Sequence, residues 1–136
     1  MRYLLDTNVL VSAILFPEGT PGRAYDAMLT APVDVVICDY TVAELRKVFR
    51  SKFPEQAPRL ERFLTDMEPG ITVVPTPDSV DVVDIETVRD EKDWPIVRAA
   101  VAAEADAVVT GDKDLLHADL IQPHMLTPAQ VLHLIG

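Results

Sequence analysis

The chain predicts an α/β fold of three layers, with helices on both faces of a mainly parallel sheet of four to five strands. Three observations carry that prediction. Strand-like and helix-like apolar patterns alternate along the chain, as they do when crossover helices join parallel strands. The run Val33 to Cys38 is almost continuously apolar and largely β-branched, which suits a strand covered on both faces. Two apolar runs end in carboxylates, one at Asp6 and one at Asp112. With 136 residues, the whole chain (1–136) suits one domain around one core.

The first strand is Tyr3 to Leu5, stopped by Asp6. From Val9 the period changes: Val9, Leu10, Ala13 and Ile14 share one helix face. Asp6 thus stands where a strand gives way to a helix, the usual place for an active-site acid in an open α/β sheet. Its structural role would be an N-cap, since Asp accepts hydrogen bonds from free helix N–H groups. Pro17-Glu18-Gly19 reads as a loop. Thr20-Pro21 opens a second helix, buried through Ala24, Met28 and Leu29.

Thr41 to Phe53 is the third helix, with an apolar stripe of Val42, Leu45, Val48, Phe49 and Phe53. Arg46, Lys47, Arg50 and Lys52 make it the most basic segment of the chain, either a solvated face or a rim that contacts phosphate. Thr41-x-x-Glu44 matches a capping box, a structural rival to any metal role for Glu44. Leu60, Phe63, Leu64 and Met67 give an amphipathic helix over Ala57 to Met67, which Pro69-Gly70 breaks.

Ile71 to Val74 is the third strand. Asp78 to Asp93 is rich in acids, without clear periodicity, and reads as a loop or short helix. Asp93-Trp94-Pro95 opens an Ala-rich helix over Ile96 to Ala105, with Asp93 a possible cap. Ala107 to Val109 is the fourth strand, ending in Thr110-Gly111-Asp112-Lys113-Asp114, where Gly111 permits a tight turn or close backbone approach. Leu120 to Leu126 holds a short edge strand, because Pro123 would break a central one. Thr127-Pro128 caps the last helix.

Several chemistries are excluded. His117, His124 and His133 lack a zinc spacing, and the sole cysteine, Cys38, has no companion for a metal or a disulfide. No glycine-rich phosphate loop of the Walker type occurs. Asn8 stands where a phosphatase resembling the haloacid-dehalogenase group would need a second Asp. No apolar run reaches membrane-spanning length and no signal-peptide pattern opens the chain, so a cytoplasmic protein without membrane contact is expected. The net charge of −10 opposes a broad grip on phosphate, unless the acids converge on a metal that inverts the local charge.

They can converge. Asp6 and Asp112 end parallel strands and so lie at one edge of the sheet. Glu44 and Asp93 stand near helix starts. Four carboxylates at one rim suit a hard divalent cation such as Mg²⁺, which takes oxygen ligands and keeps several waters.

Leu4-Leu5-Asp6-Thr7-Asn8, Glu44-Leu45, Arg89 to Asp93, and Val109-Thr110-Gly111-Asp112-Lys113-Asp114-Leu115-Leu116 together resemble the PIN-domain nucleases, in order and in spacing, over essentially the whole chain. The resemblance implies a PIN-like fold and a metal-dependent endoribonuclease. The acids matching Asp6, Glu44, Asp93 and Asp112 would hold Mg²⁺ or Mn²⁺ and hydrolyse RNA to a 5′-phosphate and a 3′-hydroxyl. Asn8 and Thr110 would position ligands and water. Trp94-Pro95 follows Asp93 where the family often has a smaller or polar residue, which leaves Asp90 and Asp114 as substitute ligands.

The Thr-Gly-Asp-Lys-Asp-Leu-Leu form is similar to the bacterial toxin (VapC-like) branch. A cognate antitoxin and a homodimer are therefore expected partners, and Phe49, Phe53 and Phe63 look like more aromatic surface than one small core absorbs. Arg46, Lys47 and Arg50 are the expected RNA contacts. The alternative from another class is a catalytically weak or inactive PIN-fold module that acts through partner contacts.

Overall fold

The structure is a computed structural model that describes every residue except Pro69 and Val83. The expected helix break at Pro69 and the apolar position Val83 lie outside the described residues. Five strands form one sheet: β1 (Arg2–Leu5), β2 (Asp34–Cys38), β3 (Ile71–Val74), β4 (Ala107–Val109) and β5 (His124–Leu126). Their order is β3-β2-β1-β4-β5, and every neighbouring pair is parallel. The helices are α1 (Thr7–Leu15), α2 (Thr20–Thr30), α3 (Asp39–Lys52), α4 (Ala57–Asp66), α5 (Trp94–Ala102), α6 (Lys113–Leu116) and α7 (Pro128–Ile135).

The central strands are buried on both faces, so consecutive residues feed different cores. Tyr3, Leu5, Val35, Ile37, Ile71, Ala107 and Val109 join one core with α1 to α4 and α7. Leu4, Val36, Cys38 and Val108 join the other with Ile96, Val97, Ala99 and Ala100 of α5 and Leu115 of α6. Leu4 and Leu5 are fully buried, and each contributes about 1.5–3 kcal/mol at most. That anchors the strand which carries Asp6.

The third helix begins at Asp39, two residues before the expected Thr41. The Asp39 carboxylate accepts from the N–H groups of Tyr40 and Thr76, tying α3 to the segment after β3. The expected Thr41–Glu44 capping box is absent, because Thr41 already lies inside the helix with its hydroxyl beside the Cys38 sulfur. The Ala-rich helix stops at Ala102 rather than Ala105. Glu104 takes the left-handed conformation (φ 55°), its N–H donates to Val101 C=O, and Ala105 N–H donates to Ala100 C=O. That Schellman turn closes the helix.

The three phenylalanines are not surplus surface. Phe49 is buried, Phe53 rests on it with ring centroids 5.7 Å apart, and Phe63 meets Tyr25 at 5.1 Å. β5 is an edge strand after Pro123, as expected, and Thr127 forms a full capping box with Gln130 at the start of α7.

Candidate active site

From β1 the sheet grows in one direction to β2 and β3, and the chain then crosses to β4 and β5 on the other side. The helices after β1 and β4 lie on opposite faces. Such a switch point leaves a crevice beyond the strand ends. Asp6 leaves β1 there, and Thr110-Gly111-Asp112 leaves β4.

Asp6 is only 5% exposed. Its Oδ1 accepts from the Thr7 N–H at 2.8 Å. Its Oδ2 accepts from the Thr110 hydroxyl at 2.7 Å and from Asn8 Nδ2 at 3.2 Å. The Thr110 hydroxyl also accepts from the Asp112 N–H at 2.9 Å, and Asn8 Oδ1 accepts from the Gly111 N–H at 3.2 Å. Asn8 and Thr110 thus hold the ends of β1 and β4 together and orient Asp6. Gly111 needs no left-handed backbone, and a Cβ there would meet only Asn8 Oδ1, at 3.8 Å. Its expected role as a tight-turn or close-approach glycine is not required.

Glu44 projects from the second turn of α3, and its Oε1 accepts from the Thr7 hydroxyl at 2.9 Å. Thr7 therefore does for Glu44 what Thr110 does for Asp6, a role the sequence did not reveal although Thr7 stands inside the opening motif. Asp112 caps α6, its Oδ1 accepting from the Asp114 N–H at 2.8 Å.

Asp93 lies in a single 3₁₀ turn, Glu91–Asp93, just before α5. Its carboxylate makes no capping bond, and its Oδ2 is buried without a partner among the described residues. Trp94 does not displace it: the indole N–H donates to Val88 C=O at 3.0 Å and the ring packs in the second core. The Tyr40 hydroxyl donates to Lys92 C=O at 3.3 Å, which also ties this turn to α3.

Asp6, Glu44, Asp93 and Asp112 line one cleft of about 400 Å³, with Thr7, Asn8, Val11 and Ser12 on α1 and Val48, Lys52 and Phe53 on the α3 side. Convergence has electrostatic consequences. Burial, the charges of Asp112 and Glu44, and incomplete compensation by Thr110 and Thr7 push the Asp6 carboxyl up to about 6. Burial and the charges of Asp112, Asp6 and Asp90 push Asp93 up to about 7. Carboxyls raised in this way mark a site where negative charge is concentrated and desolvated.

Asp93 belongs to a second group as well. One carboxylate oxygen from each of Asp90, Asp93 and Asp114 lies within 4.8 Å of the others. Asp114 therefore adjoins the acids through Asp93, whereas Asp90 spends an oxygen on the Lys92 N–H at 3.0 Å. Among the basic residues of α3, Arg46, Lys47 and Arg50 do not line the cleft, and Arg46 pairs with Glu61 of α4 at 3.3 Å. Lys52 does line it. Its place one i+4 step beyond Val48, on the stripe that runs from Glu44, is the signal that could have found it.

A model of the PIN domain matches residues 2–114. The chain belongs to the PIN-domain family. PIN domains are generally nucleases, and the cleft sits within the matched span. The chain is 28% identical over 121 residues to an uncharacterised protein of Methanocaldococcus jannaschii, covering 85% of this chain and 74% of that one. Among solved structures it resembles VapBC2 from Rickettsia felis bound to a DNA fragment from their promoter, with a TM-score of 0.68 and 17% identity over 93% of this chain and 98% of that one. It also resembles PAE2754 from Pyrobaculum aerophilum, with a TM-score of 0.57 and 16% identity over 98% of this chain and 89% of that one. Both neighbours share the α/β/α PIN fold described above.

Proposed function

We propose that this PIN domain is a Mg²⁺- or Mn²⁺-dependent endoribonuclease and the toxin of a toxin–antitoxin pair. One observation carries the reading: four carboxylates from four distant segments meet in one cleft at the sheet's switch point. The residues suit a hard cation. All the donors are carboxylate oxygens, two of the acids are raised by burial and by mutual charge, and Asp93 Oδ2 is buried with no partner among the described residues. Asp6, Asp93 and Asp112 would hold the ion, with Glu44 and Asp114 completing its surroundings. A divalent ion bound there supplies Lewis acidity toward a phosphoryl oxygen and lowers the pKa of water.

The chain's own residues do the rest. Thr110 and Asn8 fix Asp6 so that its oxygens need no reorganisation. Thr7 fixes Glu44, which we assign to accept a proton from the attacking water. Water oxygen bonds to phosphorus as the P–O3′ bond breaks, leaving a 5′-phosphate, and the 3′ oxygen leaves protonated from solvent. The intact acid set argues against the inactive-module alternative.

The fold likeness to VapBC2 supports an antitoxin partner and the PIN resemblance supports a homodimer. A short reading frame beside this gene and sedimentation of the purified chain test these two assignments separately. The nuclease reading is tested with labelled single-stranded RNA, with and without chelator. Cleavage that survives chelator, or that Asp112→Asn leaves untouched, overturns it.

A further inference from the structure

The basic residues of α3 lie on two faces of the helix, and only one face is turned to the acids. Glu44, Val48 and Lys52 stand four residues apart and line the cleft together, as successive positions on one helical stripe do. Arg46 and Arg50 are also four apart, but begin roughly 200° further round the helix from Glu44. On the opposite wall Asn8, Val11 and Ser12 of α1 share a stripe of their own. The cleft is therefore a trough between α1 and α3. It begins at the carboxylates and ends at Lys52 and Phe53, with Glu44 and Lys52 about 12 Å apart along the helix axis.

We propose that this trough is a single-strand polynucleotide subsite. The strand whose scissile phosphate lies at the carboxylates runs along α3, a neighbouring phosphate meets the Lys52 ammonium, and a base stacks on Phe53. The proposal rests on the nuclease reading and adds to it the path of the substrate along α3. Lys52 is the sole cation lining this cleft among the described residues, and none of their ion pairs involves it. Phe53 is a firm platform. Its N–H donates to Phe49 C=O at 2.9 Å, its ring rests on Phe49, and Pro54 follows at once and ends the helix. Between the two ends, Val11 and Val48 offer apolar walls to sugar and base. A base stacks on an aromatic ring only when its own face is free, so the strand is unpaired at Phe53. A cation beyond the acids holds a phosphate where the carboxylates alone would repel it.

Two measurements test this on the full-length protein. The first is anisotropy of a labelled single-stranded oligoribonucleotide on the Asp112→Asn protein, alone and combined with Lys52→Gln, with Phe53→Leu, or with Arg46→Gln and Arg50→Gln together. Lys52→Gln should weaken binding and lower the slope of log affinity against log salt by about 0.7, the value for one phosphate on a single strand. Phe53→Leu should weaken single-strand binding at least about fivefold. The arginine pair should change little. The second is steady-state cleavage, in which Lys52→Gln should raise KM and leave kcat nearly intact.

If Lys52 serves only the C-terminal end of α3, Lys52→Gln lowers the melting temperature and leaves the salt slope alone, which overturns the proposal. Loss of binding with the arginine pair instead of Lys52 also overturns it, as does absence of single-strand binding altogether. Lys52-dependent binding without any metal-dependent cleavage supports the subsite and sinks the nuclease reading.

Discussion

The two ends of the sheet carry acids in opposite circumstances. At the amino end, Arg2 of β1 donates through Nε to Asp34 of β2 at 2.7 Å, while its backbone N–H donates to Asp106 at 2.7 Å. The guanidinium also reaches Ala103 C=O. Asp34 is half open to water and Asp106 is exposed, and one residue, Arg2, binds them both. At the carboxyl end, Asp6, Glu44, Asp93 and Asp112 face one another, and their hydrogen-bond donors are neutral hydroxyls, amides and backbone N–H groups. An acid count does not separate the two ends. What separates them is burial together with like charge, an arrangement that costs stability and persists where function requires it.

The largest expected effect is on activity. Asp6→Asn, Asp93→Asn or Asp112→Asn should each lower kcat by about a hundredfold or more, as loss of a metal carboxylate does. Asp34→Asn at the other end should leave kcat within about twofold, since it touches no reacting group. Equal losses at both ends would erase the distinction.

Metal should stabilise the wild type by about 2.7 kcal/mol at a hundredfold excess over its dissociation constant. Thermal melts with and without Mn²⁺ should show that gain shrinking in Asp6→Asn and Asp112→Asn, with apo stability unchanged or higher. A pure cap behaves otherwise, because Asn caps nearly as well as Asp while Ala costs about 1 kcal/mol. Ala variants that lose apo stability yet keep the full metal gain would make Asp6 and Asp112 structural.

Thr110→Val should weaken metal binding about tenfold, because Asp6 loses the hydroxyl that orients it. Thr110→Ser should restore most of it. Titration calorimetry reads both, and a Ser variant no better than Val would remove the hydroxyl from the explanation.

Stability should also depend on pH. Asp6 and Asp93 are raised from 3.8 to about 6 and about 7, so the folded apo protein keeps protons that the unfolded chain has already released. Their contribution is full below about pH 4 and is lost as pH rises through about 6 and 7. Denaturant titrations in chelator should show stability falling across that window, with Asp93→Asn flattening the fall. An unflattened curve would mean that neither burial nor like charge raises Asp93. Asp34→Asn should shift the whole curve by at most about 1 kcal/mol, as an exposed pair does.

The sheet and the positions of Asp6 and Asp112 were legible in the sequence because strand burial and strand ends are local patterns. The end of the Ala-rich helix was not, since Glu104 takes a left-handed turn more usual for glycine. Thr41-x-x-Glu44 misled because the same residue types serve a cap or a distant partner, and tertiary contact with Thr7 decided between them. Arg46, Lys47 and Arg50 stood out by charge, yet helical phase places Lys52 at the cleft. Phase from Glu44 sets Arg46 and Arg50 aside, but Lys47 at i+3 shares Glu44's side, and only the structure leaves it off the cleft. In the stretch from Asp78 to Asp93 no periodicity marked the turn that presents Asp93.

The hydrogen bond from Thr110 to Asp6 joins residues 104 positions apart, and β4 pairs directly with β1. The opening motif leaves the ribosome first and waits for its counterpart from the far end of the chain. Closing so long a loop is slow compared with forming helices. Chemistry that depends on Asp6 and Asp112 together therefore waits until β4 has been made and has paired with β1. A chain truncated before β4 lacks both Asp112 and the Thr110 hydroxyl that holds Asp6. For a chain proposed to cut RNA, the order of synthesis alone delays that chemistry until Thr110 and Asp112 have joined Asp6.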